Sequence, residues 1–247
     1  MNTQVILADA RTHRFSGACD VLFLDPPQQS GRNSKKWLGP NEFDTFTQQW
    51  MKNVLQYIRC PGIVIIHTIP AFTHYYRSWL ERELNYWQEV VWDYNFGTYQ
   101  LSQFVPSHSY FLYYIKGIPS GHLYDWTKVA EISQRIKDGD SRANPLGRNP
   151  GSVFHLPRIP GNSRWRVKDS NGDSLPSQLP EPLVRKLLLP VTKKNSLVYD
   201  PFAGSGTVAK VCTQICCDSI SLDVSPGCIE IMNDRITAGY DYERMMK

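Results

Sequence analysis

The sequence has no Cys-x-x-Cys pair and no histidine at zinc-ligand spacing from any of its six cysteines, which removes the common structural zinc sites and leaves no metal site to expect. It has no basic start followed by an apolar stretch, so neither a secretory signal nor a disulfide framework is expected. No apolar run approaches membrane-spanning length. Nothing repeats, and no tract is of low complexity. Charge of one sign is scarce: 27 Lys and Arg against 23 Asp and Glu leave +4, compatible with a polyanion partner but uninformative alone. A GxGxxG turn and a P-loop lysine are both missing, so a nicotinamide-dependent oxidoreductase and a phosphate-cradling enzyme fit poorly. These absences point to a cytoplasmic, reducing setting. The cysteines then read as buried thiols, with Cys212 and Cys216 one turn apart on a helix.

The chain is 247 residues long, 41% hydrophobic and 20% charged, which suits a single α/β domain over 1–247. Short apolar runs read as strands at 5–7, 21–24, 63–67, near 90–92, and at 109–116, 197–199 and 219–224. Helical spacing covers 43–59 (Phe43, Phe46, Trp50, Val54, Tyr57), 71–84, 181–189, 207–217 and 226–238. Pro61-Gly62 reads as a break before the third strand. The alternation predicts a mostly parallel sheet covered on both faces, with 109–116 as a candidate antiparallel strand. Residues 117–175 hold many Pro, Gly, Asn, Ser, Arg and Lys without periodicity, and read as a variable insertion.

Two loops stand at strand ends, the ligand-binding edge of open α/β sheets. The first is Asp200-Pro201-Phe202-Ala203-Gly204-Ser205-Gly206-Thr207. Its glycines allow a tight turn and close backbone approach, and the following helix offers free N–H groups. Asp223 closes the next strand, where a ribose-binding acid belongs. A cofactor with a ribose but no phosphate is implied, and S-adenosylmethionine fits.

The second loop is Asp25-Pro26-Pro27-Gln28. Each proline fixes φ, and Pro26 pushes Asp25 toward extended backbone, so the carboxylate is rigidly presented. An exocyclic base amine is a weak nucleophile because its lone pair is delocalised into the ring. Two acceptors, the Asp25 carboxylate and the Pro26 carbonyl, would hold its two hydrogens and favour a tetrahedral nitrogen. That is positioning plus electrostatics, with no covalent intermediate.

With both motifs in this order, the chain resembles the amino-group DNA methyltransferases of the permuted β class, whose [D/N/S]-P-P-[aromatic] motif precedes D-P-F-x-G-S-G-T. Asp9-Ala10 resembles that family's early acidic, cofactor-touching segment. Residues 107–110 with Lys116 resemble the strand before its target-recognition region. Residues 153–161 resemble W-x-[IL]-P-R-I-x-G. The segment 176–181, with Gln178 and Leu179, resembles H-P-x-Q-[KL]-P-E, with Leu175 where the family often has His. The resemblance implies a Rossmann-like, circularly permuted methyltransferase sheet with a small target-recognition insertion at 117–175. It implies transfer from S-adenosylmethionine to adenine N6 in DNA, most simply duplex, within a restriction-modification setting.

Asp25, Pro26, Pro27 and Gln28 are then the catalytic residues. Asp9, Ala10, Asp25, Gln178, Leu179, Asp200, Phe202 to Thr207 and Asp223 hold the cofactor. A homodimer and a cognate restriction endonuclease are the partners the resemblance suggests. Gln28 departs from the pattern: the family's aromatic stacks on a flipped base, and Gln stacks poorly. Trp37 or Tyr110 could substitute, and Gln28 could instead hydrogen-bond a base edge. Cytosine N4 as the target, an RNA or free-nucleotide substrate, and a non-catalytic nucleic-acid-binding subunit therefore stay open. Arg32, Lys35, Lys36 and Trp37, then Arg142, Arg148, Arg158, Arg164, Trp165, Arg166 and Lys168, mix cations with aromatics in a manner suited to phosphate contact and stacking. His67 and His108 read as core histidines beside apolar strands.

Overall fold

The computed structural model describes residues 2–28, 39–94, 97, 101–102, 104–119, 123–159 and 178–237. Among these, eight strands form one sheet: β1 (Thr3–Leu7), β2 (Cys19–Leu24), β3 (Ile58–Thr68), β4 (Asn85–Asp93), β5 (His108–Lys116), β6 (Val153–His155), β7 (Leu197–Asp200) and β8 (Asp218–Asp223). Their spatial order is β1-β8-β7-β2-β3-β5-β4-β6. All pairings are parallel except the two made by β5, which alone runs opposite to the rest. The sequence expectation of an antiparallel strand at 109–116 therefore holds, and it lies inside the sheet, between β3 and β4.

The helices are α1 (Pro40–Val54), α2 (Pro70–Leu80), α3 (Gln134–Lys137), α4 (Glu181–Leu188), α5 (Thr207–Gln214) and α6 (Pro226–Thr237). α1 starts where Pro40 supplies a fixed φ and the Glu42 carboxylate accepts the Gly39 N–H at 2.8 Å. Side-chain alternation along the central strands splits the core into two layers. Leu22, Leu24, Val64, Ile66, Leu112 and Tyr114 face Trp50 and Val54 of α1 and Tyr76 and Leu80 of α2. Val21, Phe23, Ile63, Ile65, Phe111 and Tyr113 face Leu183 and Leu187 of α4 and Val208 and Val211 of α5. Burial on both faces is why β2 reads as an unbroken apolar run rather than an alternating one.

Three local expectations are corrected. Pro61-Gly62 does not break the third strand: β3 runs through it, and the shift from the Cys19–Ile58 to the Val21–Ile63 pairing absorbs the extra residues as a bulge. Residues 153–155, inside the supposed insertion, are a strand that pairs in parallel with β4 and closes the far edge of the sheet. α5 ends at Gln214, so Cys216 lies beyond it at φ 60° and is exposed, as is Cys60; the other four cysteines are buried, and all six are free. Among the described residues no helix is long and apolar enough to cross a membrane.

The chain leaves β2 toward β3 and leaves β7 toward β8, in opposite directions along the sheet. The helices that follow them, α1 and α5, lie on opposite faces. β2 and β7 are neighbours, so the sheet has its topological switch point between them, where a crevice opens outside the carboxyl ends of the strands.

Candidate functional site

The switch point brings the two sequence motifs together. Asp200 is the last residue of β7, and Asp25 follows the last residue of the adjacent β2. Asp223 ends β8 on the other side of β7. Asp9 lies two residues past β1, and the Ala8 N–H donates to the Asp223 carbonyl at 3.0 Å. Four acids spread through more than two hundred residues of sequence thus share one edge.

The Gly-rich loop is shaped by its own backbone. Gly204 and Gly206 have φ of 50° and 74°, the left-handed region that favours glycine. A Cβ on Gly206 would come within 2.1 Å of the Met232 Cγ, so α6 packs directly on this residue. A Cβ on Gly204 would meet nothing within 4 Å, so that face of the loop borders open space in the crevice. The Ala203 N–H donates to the Leu222 carbonyl at 2.8 Å, stitching the loop to β8. Asp223 accepts the Gly204 N–H at 2.9 Å on one carboxylate oxygen and the Ser225 N–H at 2.8 Å on the other. Each oxygen keeps a further lone pair for a hydroxyl. Val224, directly after it, is 67% exposed and presents an apolar surface at the same edge. A partly open acid, an apolar neighbour and open space beside Gly204 fit a ribose bearing a flat ring.

Asp200 is different. It is buried, accepts the Phe202 N–H at 3.1 Å, and is raised well above the ordinary 3.8 by burial first, then by the charges of Asp25 and Asp223. A raised native pKa means that stability is full below 3.8 and is lost as pH climbs through the folded value. Asp200→Asn removes that loss. The variant is expected to melt above wild type near pH 8 and to lose that advantage near pH 3.5. Scanning calorimetry at both pH values checks this, and an equal gap at both would contradict it.

The remaining predicted cofactor residues fall around the loop. Leu179 is buried, and its carbonyl accepts the Thr207 hydroxyl at 3.2 Å; Gln178 is buried beside it. Phe202 packs edge-on against Trp50 at 5.1 Å. The carboxylate of Asp9 is taken up by Arg11, at 2.6 to 3.0 Å, which holds its pKa below the usual carboxylate range. Ala10 is buried, with its carbonyl on the Asn53 amide at 2.8 Å.

Sequence reading missed two arrangements. Arg235 of α6, buried, donates to the Ser205 carbonyl at 2.6 Å, to the Ser205 and Thr207 hydroxyls at 3.1 and 3.2 Å, and to Glu181 at 2.7 Å. His67 does not merely fill the core. Its Nδ1 lies 2.7 Å from the Asp25 carboxylate, and its Nε2 lies 2.9 Å from the Ser109 hydroxyl. Gln28 also differs from expectation. Its Nε2 donates to the His67 carbonyl at 3.1 Å, and its Oε1 accepts the Ile69 N–H at 2.7 Å, so both ends of the amide are engaged by the end of β3 rather than held open for a base. The apolar-strand setting of His67 gave no signal of this; the contact needs the β2–β3 register, which pairs Leu24 with Ile66 and so sets Asp25 beside His67.

Of the cations, Arg158 lies with its guanidinium 3.7 Å from the centroid of Tyr94. Arg142 and Arg148 are exposed and pair at the surface with Asp140 and Glu131. Tyr110 is partly buried, with its hydroxyl 3.0 Å from His108 Nε2. Arg32, Lys35, Lys36, Trp37, Arg164, Trp165, Arg166 and Lys168 lie outside the described residues. Among the described residues no cluster of three His, Cys, Asp or Glu could hold a metal.

Comparison with known proteins adds a family. Residues 19–234 match the DNA methylase family N6_N4_Mtase. The chain is 23% identical over 231 residues to the Type II methyltransferase M.ScaI of Streptomyces caespitosus, a match that covers 89% of this chain and 75% of the relative. Among solved structures it superposes on the M1.HpyAVI–SAM complex with TM-score 0.68 at 16% identity, over 95% of this chain and 99% of that one. On the PvuII DNA methyltransferase (cytosine-N4-specific) the TM-score is 0.70 at 17% identity, over 100% and 90%. These likenesses establish the fold.

Proposed function

The chain belongs to the N6_N4_Mtase family of DNA methylases, and from that membership we propose that it moves a methyl group from S-adenosylmethionine to the exocyclic amine of a base in DNA, adenine N6 in preference to cytosine N4. The observation that carries this reading is the juxtaposition, across one switch point, of a loop open at Gly204 beside a ribose-ready acid and a rigid Asp-Pro-Pro turn. The cofactor, when bound, supplies a methyl group on a positively charged sulfur. Asp223 takes the ribose hydroxyls and Val224 packs on the flat ring. Asp9, Ala10, Gln178, Leu179 and the loop from Asp200 to Thr207 form the rest of the wall, with Asp25 at its margin, where the transferable methyl would meet the reacting base and where it adds little to cofactor affinity.

The Asp25 carboxylate and the Pro26 carbonyl accept the two amine hydrogens. Pro26 is buried and Asp25 is partly open to the crevice, so the turn presents one acid without yielding to it. As nitrogen would gain the methyl group, the methyl–sulfur bond would break with its electron pair left on a neutral thioether; the amine then loses one proton, and Asp25 is the acceptor placed to take it. This is work that positioning and a fixed charge can do. Because Asp25-Pro26-Pro27 and the Gly loop are both intact, a non-catalytic subunit is the weaker alternative. Arg158, with Arg32, Lys35, Lys36, Trp37, Arg164 and Arg166, supplies the phosphate and stacking contacts to duplex DNA. The segment 117–175 is the target-recognition part; a homodimer and a cognate restriction endonuclease remain the partners this reading accommodates.

The test is transfer of labelled methyl groups to mixed-sequence duplex and single-stranded DNA, with nucleosides identified by mass spectrometry. N6-methyladenine is expected. N4-methylcytosine would reassign the base, and no product on either DNA would overturn the reading. Cofactor affinity separates the two loops. Asp223→Ala is expected to weaken S-adenosylmethionine binding about 10- to 100-fold, the loss of one or two hydrogen bonds to a charged acceptor. Titration calorimetry reads it directly; an unchanged Kd would remove Asp223 from the site.

A further inference from the structure

The hydrogen-bond chain Ser109–His67–Asp25 invites comparison with a hydrolytic triad, but Ser109 is 0% exposed within β5 and cannot meet a substrate. The polarity of the chain has to be read from its acid end. The side chains of His67 and Asp25 are 12% and 24% exposed, so access increases toward the carboxylate. We propose that His67 is the positioning residue of the Asp-Pro-Pro turn, with Ser109 holding its other ring nitrogen; the assignment rests on the methyl-transfer reading of Asp25.

Three features of the geometry support this. First, the Asp25 carboxylate can only accept, which puts the ring proton on Nδ1, 2.7 Å from Asp25 Oδ1, and leaves Nε2 to accept from the Ser109 hydroxyl at 2.9 Å. One carboxylate oxygen is then tied down by a charge-assisted bond, and Oδ2 is left as the acceptor for the amine. Second, the ring cannot swing away. It stacks on Phe111 at 4.7 Å and 19°, and Trp92 lies 6.1 Å off at a tilt. His67 is directly opposite Phe111 in the β3–β5 register, and Ser109 is the next residue on the same face of β5. Third, Gln28 fixes the backbone from the other side. Its amide spans the His67 carbonyl and the Ile69 N–H, so the catalytic turn is fastened to β3 at its first residue through the imidazole and at its fourth through the main chain. Gln28 then serves as a fastener of the turn in place of a stacking aromatic.

Transfer requires a near-attack arrangement, and misplacement of a reacting group by about 1 Å costs on the order of 10²-fold in rate. His67→Phe keeps the stack on Phe111 and removes both nitrogens. His67→Asn retains an amide donor at roughly the place of Nδ1. The expected result is a fall of about 10²-fold in kcat for His67→Phe, with S-adenosylmethionine Kd and DNA KM within about 3-fold of wild type, and recovery to within about 10-fold of wild type for His67→Asn. Wild-type kcat in His67→Phe, or no recovery in His67→Asn, would overturn the assignment. A second readout needs no turnover. Long-range ¹H–¹⁵N correlation on histidine-labelled protein is expected to find the His67 proton on Nδ1 in wild type and a redistribution toward Nε2 in Asp25→Ala; a neutral ring protonated on Nε2 in wild type overturns the proposal. A wild-type chain that transfers nothing while its His67 holds the Nδ1 proton would instead remove the methyl-transfer reading and leave the hydrogen-bond chain standing.

Discussion

Asp25→Ala is expected to lower methyl transfer by about 10³-fold or more while S-adenosylmethionine affinity changes by less than about 3-fold. The asymmetry follows from where the carboxylate sits. Asp25 closes β2 and is tied to His67, whereas the loop from Asp200 to Thr207 and its partner Asp223 are built on β7 and β8. Removing Asp25 takes away one of the two acceptors that hold the amine and the group placed to receive its proton, but no atom that shapes the Gly-rich concavity. Asp25→Asn sharpens the test. Its single acceptor oxygen must serve either His67 or the amine, so activity should fall to a level between wild type and Asp25→Ala. Single-turnover rates on methyl-free DNA, alongside calorimetric titration of the cofactor, separate the two quantities. Full activity in Asp25→Ala would dismiss the mechanism outright.

What could be read from the sequence was what is local. The Asp-Pro-Pro turn and the Gly-x-Gly loop announce themselves because proline and glycine constrain the same residues that do the chemistry, and both follow short apolar runs. The parallel sheet followed from β-α alternation, and β5 reads only as a candidate antiparallel strand, a direction its sequence does not encode. The misses are non-local or too short. β6 has three residues, below what periodicity can register, and is a strand only because β4 offers an open edge. Pro61-Gly62 reads as a breaker, yet a bulge accommodates it within β3. His67 and Gln28 depend on contacts about forty residues away, set by strand register, so a histidine beside an apolar strand and a glutamine in place of an aromatic each pointed elsewhere.

Arg235 shows what such a non-local contact contributes. It comes from α6 near the end of the described chain, yet it joins α4 to the loop ahead of α5. Its side chain and that of Glu181 are only 9% and 8% exposed. A pair this buried gains little over water, because desolvation offsets the attraction, but removing one partner strands the other. In Arg235→Ala the Glu181 carboxylate keeps the Gln214 amide at 3.1 Å among its contacts, with no cation to balance its charge there. The expected cost is about 3–5 kcal/mol, or a fall in Tm of about 6–20 °C. The Ser205 carbonyl and the Ser205 and Thr207 hydroxyls lose their donor together, so cofactor affinity should fall as well. The double variant Arg235→Met with Glu181→Leu distinguishes the two consequences. Replacing both charges by apolar groups of similar volume is expected to recover most of the stability, since no buried charge is left alone. Affinity for S-adenosylmethionine should stay depressed, because no methionine can hold the loop by its carbonyl. If melting and affinity instead recover together, the guanidinium acts only by neutralising Glu181, and the Gly-rich loop holds its shape through Leu222, Asp223 and Met232 alone.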